Sequence, residues 1–273
     1  MKYQPNMIYG TAWKKEATAD LVELAVFCGF RAIDTACQPR HYREELVGQG
    51  IQNALVKNNL NREDIYIQTK FTPQGGQDPS TIPYNPNDDI AEQIKTSFEV
   101  SKKNLQTSYI DSYILHSPIT PYPELSKAWE VMESFVDAGE VGQIGISNCY
   151  DLSLLARIYH DAEIKPKVLQ NRFYNQTDYD NELRAFCKSL DIGYQSFWSL
   201  SANPHILASP VVQTLAKKYQ KTNEQIFYRF LTQIDITPLN GTTSKKHMLE
   251  DLDIFSFVLL QEELDSISVY INL

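Results

Sequence analysis

Long apolar runs, cysteine pairs and an excess of positive charge are all missing from this 273-residue sequence. No stretch approaches the ~20 consecutive apolar residues that a membrane-spanning helix requires. The opening residues, Met1 to Pro5, are not followed by the apolar core of a secretory signal peptide. We therefore expect no membrane partner and a cytoplasmic location.

The cysteines are few and scattered along the chain. Cys28, Cys37, Cys149 and Cys187 form no C-x-x-C pair and no other spacing typical of metal ligands. Reduced thiols are the default state of such cysteines in a cytoplasmic protein. The sequence therefore predicts neither a disulfide framework nor a metal site.

Positive charge is scarce, because 25 Lys and Arg face 34 Asp and Glu, for a net charge of −9. A surface of this sign does not attract nucleic acid or anionic membranes. A few Lys, Arg or backbone N–H groups are still enough to bind the phosphates of a cofactor locally. Nucleic acid is thus excluded as an expected partner, whereas a phosphorylated cofactor is not.

Short apolar, β-type runs alternate with segments of helical spacing along the whole chain. No linker, internal repeat or low-complexity segment divides it, and the apolar fraction of 42% is sufficient for one substantial core. This pattern predicts an α/β fold, a (β/α)₈ TIM barrel that forms a single domain over residues 1–273. The predicted strands are Met7–Gly10, Arg31–Asp34, Ile65–Lys70, Ile110–His116, Gly142–Ser147, Val168–Asn171, Ile192–Phe197 and Asp235–Thr237. The predicted helices are Thr18–Phe27, Arg43–Lys57, Asp88–Asn104, Glu124–Ala138, a segment capped by Asp151 that ends at His160, Asp178–Leu190, Ile206–Tyr219, Asn223–Leu231, Ser244–Leu252 and Gln261–Ile267.

Three ionisable residues, Asp34, Lys70 and His116, each end a separate predicted strand, and Tyr42 follows the first of them. The carboxyl ends of parallel barrel strands lie on one face, so these groups are expected to converge. An adjacent ammonium lowers the pKa of a phenol, which is ~10 when unperturbed. Asp34 would orient Lys70, and His116 would hydrogen-bond a carbonyl oxygen. The set suits protonation of that oxygen while hydride reaches the carbon.

Seven segments occur in order along the chain: GFRAIDTA, HYREELVG, IYIQTKF, DSYILHSP, GEVGQIGISN, the Gln of VLQNRFYNQ, and GTTSKKHMLEDL. Together they resemble the aldo-keto reductase family. This resemblance implies NAD(P)H-dependent reduction of aldehydes or ketones to alcohols by direct hydride transfer. It implies a catalytic tetrad of Asp34, Tyr42, Lys70 and His116, in which Tyr42 is the general acid.

The position of the general acid has an alternative in this sequence. The loop between Asp34 and Tyr42 is longer than in most members of the family, and counting back from Val47-Gly48 places His41 where the Tyr belongs. We choose Tyr42 because an imidazole does not normally replace the phenol acid.

The resemblance also implies a nicotinamide cofactor, with NADP(H) favoured. NAD(H) remains the alternative, because Gly241 and His247 replace the Lys and Arg of NADPH-preferring members. Ser147, Asn148 and Gln170 match the positions that hydrogen-bond the nicotinamide carboxamide. Phe197 matches the aromatic residue that stacks on nicotinamide, although it also suits a core position at the end of a strand. The remaining cofactor-binding candidates are Leu200, Thr242, Lys245, His247, Glu250 and Asp251.

A small-molecule carbonyl substrate and a monomeric state complete the expectation. The long Pro- and Gly-rich segment from Phe71 to Asn87 is expected to lie over the site and to define the substrate pocket. Two other functions compete with reduction: a lyase in which Lys70 forms a Schiff base, and a non-catalytic barrel that binds nicotinamide as a sensor or regulatory subunit. The aromatic candidates for the pocket wall are Trp13, Phe71, Tyr84 and Tyr122.

Overall fold

Eight parallel strands close a barrel in the computed structural model, which describes residues 5–271. The first strand closes the barrel, because Tyr9 lies opposite Ile33 on one side and opposite Asn240 on the other. The predicted single-domain (β/α)₈ barrel is therefore confirmed. The strands are β1 (Ile8–Gly10), β2 (Ala32–Asp34), β3 (Tyr66–Phe71), β4 (Ile110–Leu115), β5 (Val141–Ser147), β6 (Val168–Arg172), β7 (Gly193–Phe197) and β8 (Ile236–Asn240).

Helices connect each strand to the next, as the alternation of patterns predicts. They are α1 (Thr18–Cys28), α2 (Glu44–Asn58), α3 (Ile90–Leu105), α4 (Tyr122–Asp137), α5 (Leu152–Asp161), α6 (Asn181–Ser189), α7 (Pro204–Leu207), α8 (Pro210–Tyr219), α9 (Asn223–Gln233), α10 (Lys245–Leu252) and α11 (Gln261–Ser268). Within residues 5–271 no helix is both long and apolar enough to cross a bilayer.

Helix α6 begins three residues later than its sequence pattern predicts. Asp178, Tyr179 and Asp180 have φ values of 50°, 50° and 53°, so the chain makes a left-handed turn before the helix. Tertiary contacts hold this conformation, because Tyr179 is buried and Asp180 Oδ2 accepts hydrogen bonds from Asn171 Nδ2 and Tyr194 Oη. These long-range contacts override the helical pattern of the segment.

The helix predicted over Ile206–Tyr219 is divided in two. Pro210 disfavours helical geometry in the residue before it. Ser209 is accordingly extended, and its Oγ accepts a hydrogen bond from the N–H of Val212 as the cap of α8. The proline therefore separates α7 from α8.

The main hydrophobic core lies between the barrel and the surrounding helices. Because side chains alternate along a strand, every second residue faces outward. Ile33 and Ile67 pair across β2 and β3, Tyr113 and Ile144 pair across β4 and β5, and all four are fully buried in this layer. Most of the apolar burial that stabilises the fold is thus outside the barrel.

The interior of the barrel is polar in its upper half. Gln68 Nε2 and Gln170 Nε2 both donate to Gln195 Oε1, at 2.7 and 3.0 Å, and Gln195 Nε2 donates back to Gln68 Oε1 at 3.1 Å. The same two nitrogens donate to Asp34 Oδ1 at 2.8 and 3.0 Å. Bulky branched residues are more usual inside such barrels. Here three glutamines form a hydrogen-bonded layer that holds one carboxylate.

Helix α2 packs unusually close to α3 at Gly48. A Cβ atom at this position would lie 2.1 Å from the backbone oxygen of Asn104 and 2.8 Å from the Cα atom of Leu105. Both atoms belong to the backbone and cannot swing aside. Glycine is therefore required here by the approach of the two helices.

Replacing Gly48 with Ala is expected to destabilise the protein. Helix propensity alone would favour the change by about 1 kcal/mol, but the clash with a neighbouring backbone outweighs it. We expect the free energy of unfolding to fall by about 1–3 kcal/mol, measured by urea denaturation. Gly75→Ala is the matched control, because its Cβ would meet nothing within 4 Å. Equal stability of the Gly48→Ala variant and the control would contradict the packing argument.

Candidate active site

A cleft of about 960 Å³ opens at the carboxyl ends of the strands. Its walls include Asp34, Tyr42, His116 and Gln170, and it continues to Asp251 on α10. A larger concavity of about 1340 Å³ lies at the opposite end of the barrel, around the first residues of β7 and β8. Asp34, Tyr42 and His116 line the 960 Å³ cleft, and none of them lines the larger concavity. Since barrel enzymes also place their chemistry at the carboxyl face, the smaller cleft is the candidate site.

Asp34 and Lys70 form a buried ion pair at the floor of the cleft. Lys70 Nζ donates to both carboxylate oxygens of Asp34, at 2.7 and 2.6 Å, and to the backbone oxygen of Thr35 at 2.8 Å. Burial lowers the pKa of Lys70, and the Asp34 carboxylate opposes that shift. All three ammonium donors are thus committed to oxygen acceptors. The pairing predicted for these two residues is present.

Tyr42 lies directly above this pair. Its ring centroid is 5.6 Å from Lys70 Nζ and 6.1 Å from the ring centroid of His116. Its hydroxyl makes no hydrogen bond to any residue from 5 to 271, and the side chain lines the cleft. The hydroxyl is therefore available to a ligand.

The pKa of Tyr42 differs from the sequence-based expectation. Burial raises it, and the negative charge of Asp34 raises it further. The net shift is therefore opposite to the lowering expected from Lys70, because desolvation and the charge of Asp34 outweigh the effect of the ammonium. Tyr42 is thus a neutral phenol at physiological pH.

His116 is held as a neutral imidazole. Its Nδ1 lies 2.7 Å from Thr72 Oγ1. Burial lowers the pKa of His116 well below its usual value, and the charge on Lys70 adds to this. No residue from 5 to 271 hydrogen-bonds Nε2, so this nitrogen is left for a molecule in the cleft.

His41 occupies a different place from Tyr42. Its ring stacks on Trp13 at a centroid distance of 3.9 Å, and its Nδ1 lies 2.9 Å from Gln38 Oε1. Trp13 is 61% exposed, so this stack forms the rim of the cleft and not its floor. Of the two alternatives for the general acid, only Tyr42 neighbours both Lys70 and His116.

The three residues predicted to bind a carboxamide are brought together in the cleft. Asn148 Nδ2 donates to the backbone oxygen of His116 at 2.9 Å and to Ser147 Oγ at 3.2 Å, and Ser147 Oγ donates to the backbone oxygen of Gln170 at 2.7 Å. The amide oxygens of Asn148 and Gln170 accept no hydrogen bond from residues 5–271. Each therefore offers an acceptor to a ligand.

Most of the other predicted cofactor residues also line the cleft. One of them, Asp251, is buried beneath Asn240, and desolvation together with Glu250 and Glu224 raises its pKa to about 7. The residues that line this part of the cleft are Phe197, Leu200, Thr242, His247, Glu250 and Asp251.

Lys245 is the exception among the predicted cofactor residues. Its Nζ lies 5.0 Å from the ring centroid of Phe27 on α1, away from the cleft, and Lys246 lines the cleft in its place. The cap of α10 accounts for this orientation, because Ser244 Oγ binds the N–H of His247 and sets the rotation of the first turn.

Of the four aromatic residues predicted to form the wall of the substrate pocket, only Trp13 lines the cleft. Phe71 is fully buried outside the barrel against Tyr84, at a centroid distance of 5.5 Å. Strand alternation accounts for this direction, since Lys70 points inward and its neighbour must point outward. Tyr84 Oη donates to the backbone oxygen of Thr72 at 2.9 Å, and Tyr122 Oη donates to Asp161 on α5. Neither residue lines the cleft.

The segment 71–87 does not cover the cleft as expected. It packs instead on the loop after β2, where Gln77 Nε2 donates to the backbone oxygen of Cys37 at 2.9 Å and Gln38 Nε2 donates to that of Gly76 at 2.5 Å. Its contribution to the site is indirect, through Thr72 and its bond to His116.

Several residues of the cleft were missed in the sequence. Lys14 is the clearest, because its Nζ donates to the backbone oxygen of Gly241 at 2.6 Å, and burial lowers its pKa to about 8. Its position directly after Trp13 was the available signal. Arg172 was also predictable from strand alternation, since it lies two residues after the inward-facing Gln170. The other missed residues that line the cleft include Trp198, Thr222, Glu224, Tyr228 and Lys246.

Comparisons with known proteins agree with this geometry. The family described as "Aldo/keto reductase family" matches residues 6–271. Glyoxal reductase of Bacillus subtilis is 31% identical, over 92% of this chain and 82% of that protein. Prostaglandin F synthase 1 of Bos taurus is 29% identical, over 93% of this chain and 82% of that protein.

Solved structures show the same likeness. An aldo-keto reductase from a Medee basin deep-sea metagenome library superimposes with a TM-score of 0.83 at 26% identity, over 99% of this chain and 92% of that chain. A Bombyx mori aldo-keto reductase in complex with NADP gives a TM-score of 0.82 at 25% identity, over 98% of this chain and 90% of that chain. The chain described here therefore belongs to the aldo/keto reductase family and is an NAD(P)H-dependent oxidoreductase.

Proposed function

We propose that this protein reduces aldehydes or ketones to alcohols with Tyr42 as the general acid. The observation that carries the proposal is the free hydroxyl of Tyr42, placed above the Asp34–Lys70 pair and beside His116 in one cleft. Lys70 and Asp34 act as positioning residues, because Lys70 lies beneath Tyr42, Asp34 is held by the glutamine layer, and both are almost fully buried.

The cleft fits a nicotinamide cofactor. The amide oxygens of Asn148 and Gln170 lack donors, which suits the amino group of a carboxamide. Phe197 supplies an aromatic face for the nicotinamide ring. Lys14 and Lys246 supply positive charge for phosphates, and Leu200, Thr242, His247, Glu250 and Asp251 extend the wall toward α10. When bound there, the reduced cofactor supplies hydride.

Each remaining step belongs to the residues of this chain. Tyr42 is protonated at physiological pH and donates its proton to the carbonyl oxygen, which becomes a much stronger base as the carbonyl is reduced. His116 donates from Nε2 to the same oxygen in the tautomer whose Nδ1 accepts from the Thr72 hydroxyl, 2.7 Å away. Lys70 stabilises the phenolate left on Tyr42, as its positive charge lies 5.6 Å from the ring.

A Schiff-base lyase is less well supported. A nucleophilic lysine must be accessible and unprotonated, whereas Lys70 is 1% exposed and donates to three oxygens. A sensor that binds nicotinamide without catalysis is the remaining alternative. A cytoplasmic location and a monomeric state stay predictions from the sequence.

Turnover tests the reductase proposal and the identity of its acid together. We expect the wild-type protein to oxidise NADPH in the presence of aromatic or aliphatic aldehydes. The reaction is measured as the loss of absorbance of the reduced nicotinamide, and NADH is assayed in parallel. Tyr42→Phe is expected to lower kcat by at least about 100-fold, since general acid catalysis contributes about 10²–10⁴-fold. NADPH affinity should be retained.

His41→Phe is the matched control, because it changes the neighbouring aromatic residue while leaving the phenol in place. It is expected to change kcat by less than the Tyr42 variant. Loss of turnover in His41→Phe alone would assign the acid to His41. Binding of NADPH by the wild type with no turnover of any carbonyl compound would instead favour the sensor.

Variants of the buried Asp34–Lys70 pair distinguish its role in catalysis from its role in stability. Lys70→Met leaves the Asp34 charge buried without its partner, so we expect the free energy of unfolding to fall by about 3–5 kcal/mol. The double variant Asp34→Asn, Lys70→Met removes both charges and should recover part of that loss in urea denaturation. Turnover should be lost in both variants. Recovered turnover in the double variant would show that the charge of Lys70 is dispensable.

The titration of Lys14 predicts how cofactor affinity depends on pH. Its pKa is about 8 in the folded chain, so the ammonium is present below pH 8 and is lost as the pH rises above it. If it binds the cofactor phosphates, the Kd for NADPH should rise by about tenfold between pH 7 and pH 9, because about nine-tenths of such groups are neutral at the upper value. Lys14→Met should bind NADPH more weakly at pH 7 and show a flat profile. An unchanged slope in that variant, measured by fluorescence titration, would remove Lys14 from the phosphate site.

A further inference from the structure

Arg172 ends β6 on the side of the strand that faces the cleft. Gln170, two residues earlier, points into the barrel, and alternation along the strand places Arg172 above it on the same side. Arg172 pairs with Phe197 on β7, and its backbone N–H donates to Tyr150 Oη at 3.0 Å. Its side chain lines the candidate active site.

Two aromatic rings hold the guanidinium of Arg172. Its Cζ lies 4.2 Å from the ring centroid of Trp198 and 5.2 Å from that of Tyr174. Cation–π contacts of this kind restrict an arginine side chain while leaving its terminal N–H₂ groups free to bind. The group is thus preorganised at small further cost in side-chain entropy.

The guanidinium has no acidic partner in the part of the chain that the structure describes. The side chain takes part in no ion pair within 4.0 Å, and its Nε is buried without any hydrogen-bond partner. A buried donor left unsatisfied is unfavourable, and arginine is suited to planar anions that accept two hydrogen bonds. Whereas Nε is enclosed, the two terminal N–H₂ groups of Arg172 donate to no residue from 5 to 271 and are the ones a ligand in the cleft can reach.

The carboxylates that line the cleft do not fill this role. Asp34 is bound by Lys70, Gln68 and Gln170. The other carboxylates of the lining are Glu224 on α9 and Glu250 and Asp251 on α10. Positive charge is thus left uncompensated at the end of β6, close in sequence and space to the amide residues of the site.

From these contacts we infer that Arg172 is a specificity-determining residue that binds an anionic group on the substrate, so that the preferred substrates are carbonyl compounds that carry a carboxylate. This inference rests on the proposed reductase function. The same planar oxyanion chemistry has a second source in the diphosphate of the cofactor, and the experiment below distinguishes the two.

The test compares 4-formylbenzoate with the uncharged, planar 4-nitrobenzaldehyde in wild type and Arg172→Gln. We expect kcat/KM for 4-formylbenzoate to fall by roughly 10- to 100-fold, as for a lost hydrogen bond to a charged group. The value for 4-nitrobenzaldehyde and the Kd for NADPH should change less than about threefold. Arg157→Gln is the control for overall charge, because Arg157 is exposed on α5 and does not line the cleft.

Other results overturn the inference. An equal fall in kcat/KM for both aldehydes, together with weaker NADPH binding, would assign Arg172 to the diphosphate of the cofactor. An unchanged kcat/KM for both aldehydes would mean that Arg172 has only a structural role. Binding of benzoate to the NADP-saturated protein, measured by calorimetry, separates this inference from the proposed function. Affinity that is at least tenfold weaker in Arg172→Gln would support the anion site even if no aldehyde were turned over. Equal affinity would overturn it.

Discussion

The ion pair between Lys70 and Asp34 is the interaction on which the cleft depends. Both groups are almost completely removed from water, so their charges are tolerated only because every acceptor and donor is satisfied. Lys70 donates to three oxygens, and Asp34 accepts two further bonds from Gln68 and Gln170. The pair in turn provides the charge beneath Tyr42. A local change at either residue therefore reaches both the fold and the chemistry.

Two layers of the barrel have different roles: the outer layer stabilises the fold, and the inner layer supports the site. The apolar layer outside the strands supplies stability, as Ile33, Ile67, Tyr113 and Ile144 illustrate. The upper interior is then free to hold amides and charges in place of branched aliphatic side chains. Because the three glutamines are linked by hydrogen bonds and two of them donate to Asp34, the layer holds Asp34 in one orientation and so positions Lys70. Rigid support of this kind is what electrostatic catalysis requires.

Charge is distributed unevenly along the cleft. The floor combines a neutral phenol, a neutral imidazole and a compensated ion pair, which suits proton donation at physiological pH. Arg172 adds a stacked cation at the end of β6, whereas Glu224, Glu250 and Asp251 place carboxylates on α9 and α10. The raised pKa of Asp251, about 7, is a consequence of this crowding and of burial. Different parts of a ligand thus meet surfaces of opposite sign.

The sequence by itself determined the barrel, the family and the positions of Asp34, Lys70 and His116, because strand periodicity and strand ends are local properties that place residues on known faces. It also contained the alternation that turns Phe71 outward and Arg172 toward the cleft. Only the tertiary structure decided where Tyr42 and His41 lie, that Lys246 and not Lys245 faces the cleft, and that segment 71–87 packs beside it. Loop conformation and helix rotation depend on contacts with distant residues, such as Trp13 with His41 and Lys245 with Phe27, which no local spacing encodes.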